Sequence, residues 1–184
     1  MARGRPSKKQ IILETAQDLF AKNGYQGTSI DLVVRAAGVS KPTVYNNFPS
    51  KQALLQSLIA RQLDASTKRQ QSLLAANTPA LDKLFNLFQQ IIEHPFEIAL
   101  YRIYYGESYK LSDDTMNLLT EMDRAYSANC HSIFTSITNC RTTIENIIAL
   151  YKNSILINAL AGEKTAQASE LTAQIQVLGL INFK

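Results

Sequence analysis

The chain has no tryptophan, two cysteines and two histidines, and these shortages exclude several kinds of chemistry at once. Cys130 and Cys140 show no C-x-x-C spacing and no histidine cluster nearby, so the plain expectation is two buried free thiols, not a zinc site. Two histidines in separate segments supply neither a nucleophile with its base nor a set of metal ligands. A glycine-rich phosphate loop is missing, and acids such as Asp113-Asp114 look like ordinary surface groups. No enzymatic activity, metal or cofactor is therefore expected. Glycine and proline are also few, at seven and five among 184 residues. No apolar run is long enough to span a bilayer, and the start MARGRPSKK lacks the apolar stretch of a secretory signal. The expected location is the cytoplasm, with no membrane partner.

What the chain does have is a polarised charge. Residues 1–52 carry eight Lys/Arg against three Asp/Glu, while the remainder carries eleven against twelve, so the net charge of +4 comes wholly from the first segment. A uniformly basic chain would suggest little beyond solubility. A basic excess confined to one module points to phosphate neutralisation and counterion release.

That module contains the stretch SIDLVVRAAGVSKPTVYNNF, residues 29–48, which reads as a short helix, a glycine turn and a second short helix. Val33, Ala36 and Ala37 give the first helix a compact apolar face, and Gly38 stands where the chain must reverse. Ser40 is placed to cap the second helix, and Pro42 falls in its first turn, where a missing N–H costs nothing. Val44 and Phe48, four apart, face inward, leaving Lys41, Thr43, Tyr45 and Asn46 outward. A helix-turn-helix of this kind makes DNA the first partner to consider. Around it, a helix is expected over 7–23 with Ile12, Ala16, Leu19 and Phe20 inward. Thr28, with Asp31 three residues on, is expected to cap the next helix, and Ser50 to cap a fourth. At the N-terminus, Arg3-Gly4-Arg5-Pro6 looks like an AT-hook core, an extended arm that lays arginines along the minor groove.

The order GYQGTSI, VVRAAGVS, KPTVYNNF and SKQALL resembles the N-terminal domain of the TetR family of bacterial transcription regulators, without gaps over roughly the first sixty residues. The resemblance implies that Thr28, with Ser29 beside it, and Lys51 hold phosphates. It also implies that Ser40, Lys41, Pro42, Thr43, Tyr45 and Asn46 belong to the recognition element that meets bases or backbone. Two positions depart from the family pattern: Val34 replaces a usual alanine, and Asn46-Asn47 replaces a commoner histidine-containing pair. The function implied is a sequence-specific regulator, a repressor released from a palindromic operator by a small molecule. The alternative is a regulator, possessing the same DNA-binding module, that answers to a protein partner or activates.

Beyond residue 50 the pattern is helical throughout, with helices expected over 51–75, 79–93, 96–110, 112–138, 142–161 and 165–180. Neither period-two alternation nor an internal repeat is present. The expectation is an all-α fold of about nine helices, with a DNA-binding domain over 1–50 and a helical effector-binding and dimerisation domain over 51–184. The last two helices are apolar on more than one face, which requires a second cover. A homodimer meets that need, and the resemblance implies the same. Ile147, Leu150, Ile157, Leu171, Ile175 and Leu178 are the expected interface residues. In the middle, Tyr101, Tyr105 and Tyr109 recur every four positions and form a candidate wall for an apolar or aromatic effector. Phe88, Tyr126, His131 and Phe134 are expected to face it, although for any one of them core packing is the plainer role.

Overall fold

A computed structural model describes residues 6–135, 138 and 140–180. Among the described residues every regular element is helical: α1 (Lys8–Asn23), α2 (Ile30–Ala37), α3 (Lys41–Asn47), α4 (Lys51–Ala75), α5 (Ala80–Glu93), α6 (Pro95–Gly106), α7 (Asp113–Phe134), α8 (Arg141–Tyr151), α9 (Asn158–Ala161) and α10 (Ala168–Val177). A π-helical stretch, Lys152–Ile157, carries α8 into α9 with helical dihedrals at both joins, so the two form one rod. The all-α expectation is met, and nine rods result among the described residues.

The backbone divides into two compact units, Met1–Asp64 with Pro95–Glu121, and Ala65–His94 with Met122–Lys184. In the first unit α1 packs against α2, α3 and α6. Its core is built from Ile12, Ala16 and Phe20 of α1, Val33 of α2, and Val44 with Phe48 around α3. Leu54, Leu55, Leu58 and Ile59 of α4 and Leu100 and Ile103 of α6 complete it. Each such side chain stabilises the fold by about 1.5–3 kcal/mol on burial. In the second unit α5 packs against α8, the π-helical stretch and α10. Leu84, Leu87 and Ile91 of α5 and Ile147, Tyr151, Ile155, Leu171 and Ile175 of those partners are all buried.

Several local expectations are corrected. Thr28 does not cap α2: the capping oxygen is Ser29 Oγ, which accepts from Leu32 N at 3.1 Å, while the Thr28 hydroxyl donates to Gly24 O at 2.8 Å. Two adjacent hydroxyls satisfy the same local rule, and burial of Thr28 decides between them. Ala36 is exposed, so Val33 alone is buried on α2. The helix expected to reach residue 110 ends at Gly106, and Ser108–Lys110 form a separate 3-10 turn. Thr142 and Glu145 form no cap for α8. Cys140 holds the N-cap position, and Glu145 pairs instead with Arg141 at 2.7 Å. Cys140 is exposed, so only Cys130 is a buried thiol. The last helix starts at Ala168, where Gln167 and Glu170 close a reciprocal capping box.

Candidate nucleic-acid interface

The reading head is assembled by local rules. Gly38 sits in the left-handed region, φ 63° and ψ 34°, and lets the chain turn between α2 and α3. Ser40 then caps α3, its Oγ accepting from Thr43 N at 3.3 Å and lying 2.7 Å from Thr43 Oγ1. Pro42 occupies the first turn. Val44 and Phe48 anchor the helix inward, at 0% and 2% exposure. The Asn47 side chain turns back to donate to Thr43 O at 2.8 Å. What remains outward is Lys41, Pro42, Tyr45 and Asn46, with Thr43 half-buried. Tyr45 is 44% exposed.

Of the expected DNA contacts, Ser40, Lys41, Pro42, Thr43, Tyr45 and Asn46 lie on α3 or at its start, and Ser29 is exposed at the start of α2. Thr28 does not join them. It is fully buried, and a side chain with no exposure reaches no phosphate in this conformation. Arg3 and Arg5 lie outside the described residues. Lys41 is held by Asp31 at 2.8 Å, a contact that raises its pKa. Both side chains are more than half exposed, and an exposed pair of this kind exchanges readily for a phosphate.

Lys51 is more committed. Its Nζ donates to Tyr25 O at 2.8 Å and lies 4.0 Å above the Tyr25 ring, and partial burial lowers its pKa. That bond uses one of its three N–H groups, and the Glu107 carboxylate acts on the same charge. Tyr25 itself is buried and stacks on Phe20 with ring centroids 6.2 Å apart. Burial raises the pKa of its phenol, which keeps it neutral and protonated.

The loop carrying Tyr25 is held from far along the chain. Glu107, just past α6, accepts from Tyr25 N at 3.1 Å through Oε1 and from Gln26 N at 2.6 Å through Oε2. Gln26 Nε2 donates to Tyr109 OH at 3.0 Å. Nearby, Gln52 Oε1 on α4 accepts from Ser112 N at 2.9 Å and from Thr115 Oγ1 at 3.1 Å. Glu107 escaped the sequence analysis because a lone acid after a helix-ending glycine carries no periodic or motif signal.

The expected effector wall is redistributed. Tyr101 is buried, but Tyr105 is 47% exposed and Tyr109 71% exposed, because the 3-10 turn takes Tyr109 off the helical stripe. In the second unit Phe88, Tyr126 and Phe134 are buried and His131 is half-buried. Tyr126 donates to Leu87 O, and its ring meets Phe88 at 5.8 Å. These three rings serve the core of that unit. The expected dimer residues split in the same way. Ile147, Leu171 and Ile175 are buried within the chain's own core, whereas Leu150 is half-buried, Ile157 37% exposed and Leu178 60% exposed. Helical periodicity identifies an apolar stripe but not whether its cover comes from within the chain. An open groove of about 550 Å³ lies along Asn146, Ala149, Leu150, Asn153, Leu178 and Leu180. Val177, at 86% exposure, borders a second groove of about 320 Å³.

Comparisons with known proteins agree with this geometry. A family model described as bacterial regulatory proteins, tetR family, matches residues 12–58, from the core of α1 into α4. Among curated proteins, the HTH-type transcriptional regulator YuxN of Bacillus subtilis is 34% identical over 101 residues, covering 50% of this chain and 33% of that protein. The HTH-type transcriptional repressor KstR2 of Mycolicibacterium smegmatis is 31% identical over 110 residues, covering 58% of this chain and 53% of that one. The matched regions thus span a third to about half of those relatives' own length. Among solved structures, a transcriptional regulator from Saccharomonospora viridis in complex with choline superimposes with a TM-score of 0.73 at 20% identity, covering 92% of this chain and 94% of that one. At that identity the likeness is one of fold. The helix-turn-helix and the family match over residues 12–58 make the N-terminal module that of the tetR family of bacterial regulatory proteins, and the chain as a whole shares the all-helical fold of the solved regulators.

Proposed function

We propose that the chain is a homodimeric transcriptional regulator that binds a palindromic operator through α3 and is released from it by a small-molecule effector. The observation that carries the proposal is the outward face of α3. Lys41, Pro42, Tyr45 and Asn46 are exposed on a helix whose start is capped and whose inner face is locked by Val44 and Phe48. A rigid helix with outward hydrogen-bonding tips suits the major groove. In this scheme Asn46 pairs with an adenine edge and Tyr45 packs on bases or thymine methyls. Ser29, Lys51 and the basic N-terminal arm with Arg3 and Arg5 hold the backbone. Residues 1–50 then act as the DNA-binding domain, and 51–184 as the effector-binding and dimerisation domain.

A two-fold symmetric dimer places its two α3 helices about 34–36 Å apart, one helical turn of DNA. The accessible apolar residues Leu150, Ile157, Val177 and Leu178 of the last helices support that dimer. The effector is proposed to be small and amphipathic. Within the first unit Gln62 and Glu97 are both buried and joined at 2.9 Å, so its interior already accommodates polar groups. Fluorescence anisotropy of labelled duplex DNA tests the reading. Tyr45→Ala and Asn46→Ala should each weaken operator binding by about 1–3 kcal/mol and leave binding to unrelated duplex unchanged. Equal loss on both DNAs would mean that α3 does not read bases.

A further inference from the structure

The α1–α2 loop is gripped on both sides of one peptide unit. The Tyr25 N–H is taken by Glu107 Oε1, the next N–H by Glu107 Oε2, and the Tyr25 carbonyl by Lys51 Nζ. Gly24 fits the same arrangement. Its φ of 70° suits glycine, and a Cβ there would run into Glu107 Oε1. Beyond those bonds Glu107 has one attractive neighbour, the Lys51 ammonium, and an unfavourable position on its own helix. It follows the C-terminus of α6, its own N–H bonding Ile103 O, where the helix dipole repels an acid. A carboxylate that stands in a repulsive field while chelating two backbone N–H groups of a loop 80 residues away is held there by those bonds. The loop ends at Ser29, the N-cap of α2, and α2 leads through Gly38 into α3.

We infer that Glu107 is a positioning residue for DNA recognition: by clamping the Tyr25 and Gln26 N–H groups it fixes the α1–α2 loop and hence the pose of Ser29, α2 and α3 on the operator. The inference rests on the DNA-reading role proposed above. It makes the end of α6 a control point for the reading head, since withdrawing Glu107 by about 1 Å takes both bonds beyond hydrogen-bonding distance. Glu107 is a poor candidate for any direct DNA contact because its charge opposes the phosphates.

That charge supplies the test. Replacing Glu107 by glutamine raises the formal net charge from +4 to +5, so counterion release alone predicts equal or tighter DNA binding. The clamp predicts the opposite for a specific site. The full-length protein, Glu107→Gln, Glu107→Asp and Tyr45→Ala are titrated against the duplex that the wild type enriches from a random pool, and against an unrelated duplex. Glu107→Gln loses one acceptor and should bind the enriched duplex about tenfold more weakly. Glu107→Asp keeps the charge but is one methylene short, and should also lose severalfold. Affinity for the unrelated duplex should hold or rise. Amide exchange at Tyr25 and Gln26 should accelerate in both variants while the thermal midpoint moves little. Unchanged affinity for the enriched duplex in Glu107→Gln, with Tyr45→Ala still impaired, overturns the clamp and leaves the DNA-reading role standing. A wild type that enriches no duplex overturns both.

Discussion

Val177 and Leu178 are the most revealing pair to change, because they are 86% and 60% exposed in the chain alone and contribute little to its own core. Full burial of a valine or leucine is worth about 1.5–3 kcal/mol, so burying the exposed fractions of both yields about 2–4 kcal/mol per chain. Two-fold symmetry counts every residue twice, which makes about 4–8 kcal/mol per dimer, or three to six powers of ten in the dissociation constant. Val177→Lys/Leu178→Lys removes that term and places four ammonium groups in the proposed interface. Sedimentation velocity at micromolar protein should show a dimer for the wild type and a monomer for the double variant. Circular dichroism should be unchanged, since neither side chain is part of the protomer's core. Operator affinity should fall steeply with the loss of the second half-site. A double variant that sediments as the same dimer would refute the assignment of this face, and a monomeric wild type would refute the dimer itself.

Three further outcomes are expected. Gly38→Ala meets no atom within 4 Å and carries only left-handed strain, about 1–2 kcal/mol, whereas Gly24→Ala adds a collision with Glu107; thermal unfolding should rank Gly24→Ala as the more damaging. Burial pushes the Cys130 thiol up to about 12 from an ordinary 9.0, so the folded state keeps a proton that the unfolded chain gives up. The associated stability is complete below about pH 9 and declines as pH rises towards 12, by up to about 4 kcal/mol. Cys130→Ala should flatten that alkaline decline in denaturant titrations, and a thiol reagent should label exposed Cys140 in the native state and Cys130 only on unfolding. Finally, Arg3→Ala/Arg5→Ala should reduce the salt dependence of DNA binding by up to about two units of log–log slope; an unchanged slope would leave the arm without a DNA role.

The legible parts of the structure were those governed by local chemistry. Gly38, Ser40 and Pro42 each answer to the stereochemistry of a helix end, and α3 begins and ends where those residues require. Where two neighbours met one rule equally, as Thr28 and Ser29 did, only tertiary burial separated them. Tyr109 was misplaced because the spacing of four with Tyr101 and Tyr105 persists through Gly106, although the helix does not. The assignment of Ile147, Leu171 and Ile175 failed for a different reason. An apolar stripe states that a face is covered, and α5 supplies the cover within the chain. Glu107 was invisible because its bonds to Tyr25 and Gln26 span more than 80 residues and depend on where α6 ends.

The central claim is that α3 reads DNA sequence as one half of a symmetric pair. Selection of bound duplexes from a random pool, run in parallel with the intact protein and with Tyr45→Ala, tests it most directly. The account predicts that the intact protein alone enriches a palindrome, with half-sites about one helical turn apart. No enrichment, or the same weak enrichment by both proteins, would contradict it.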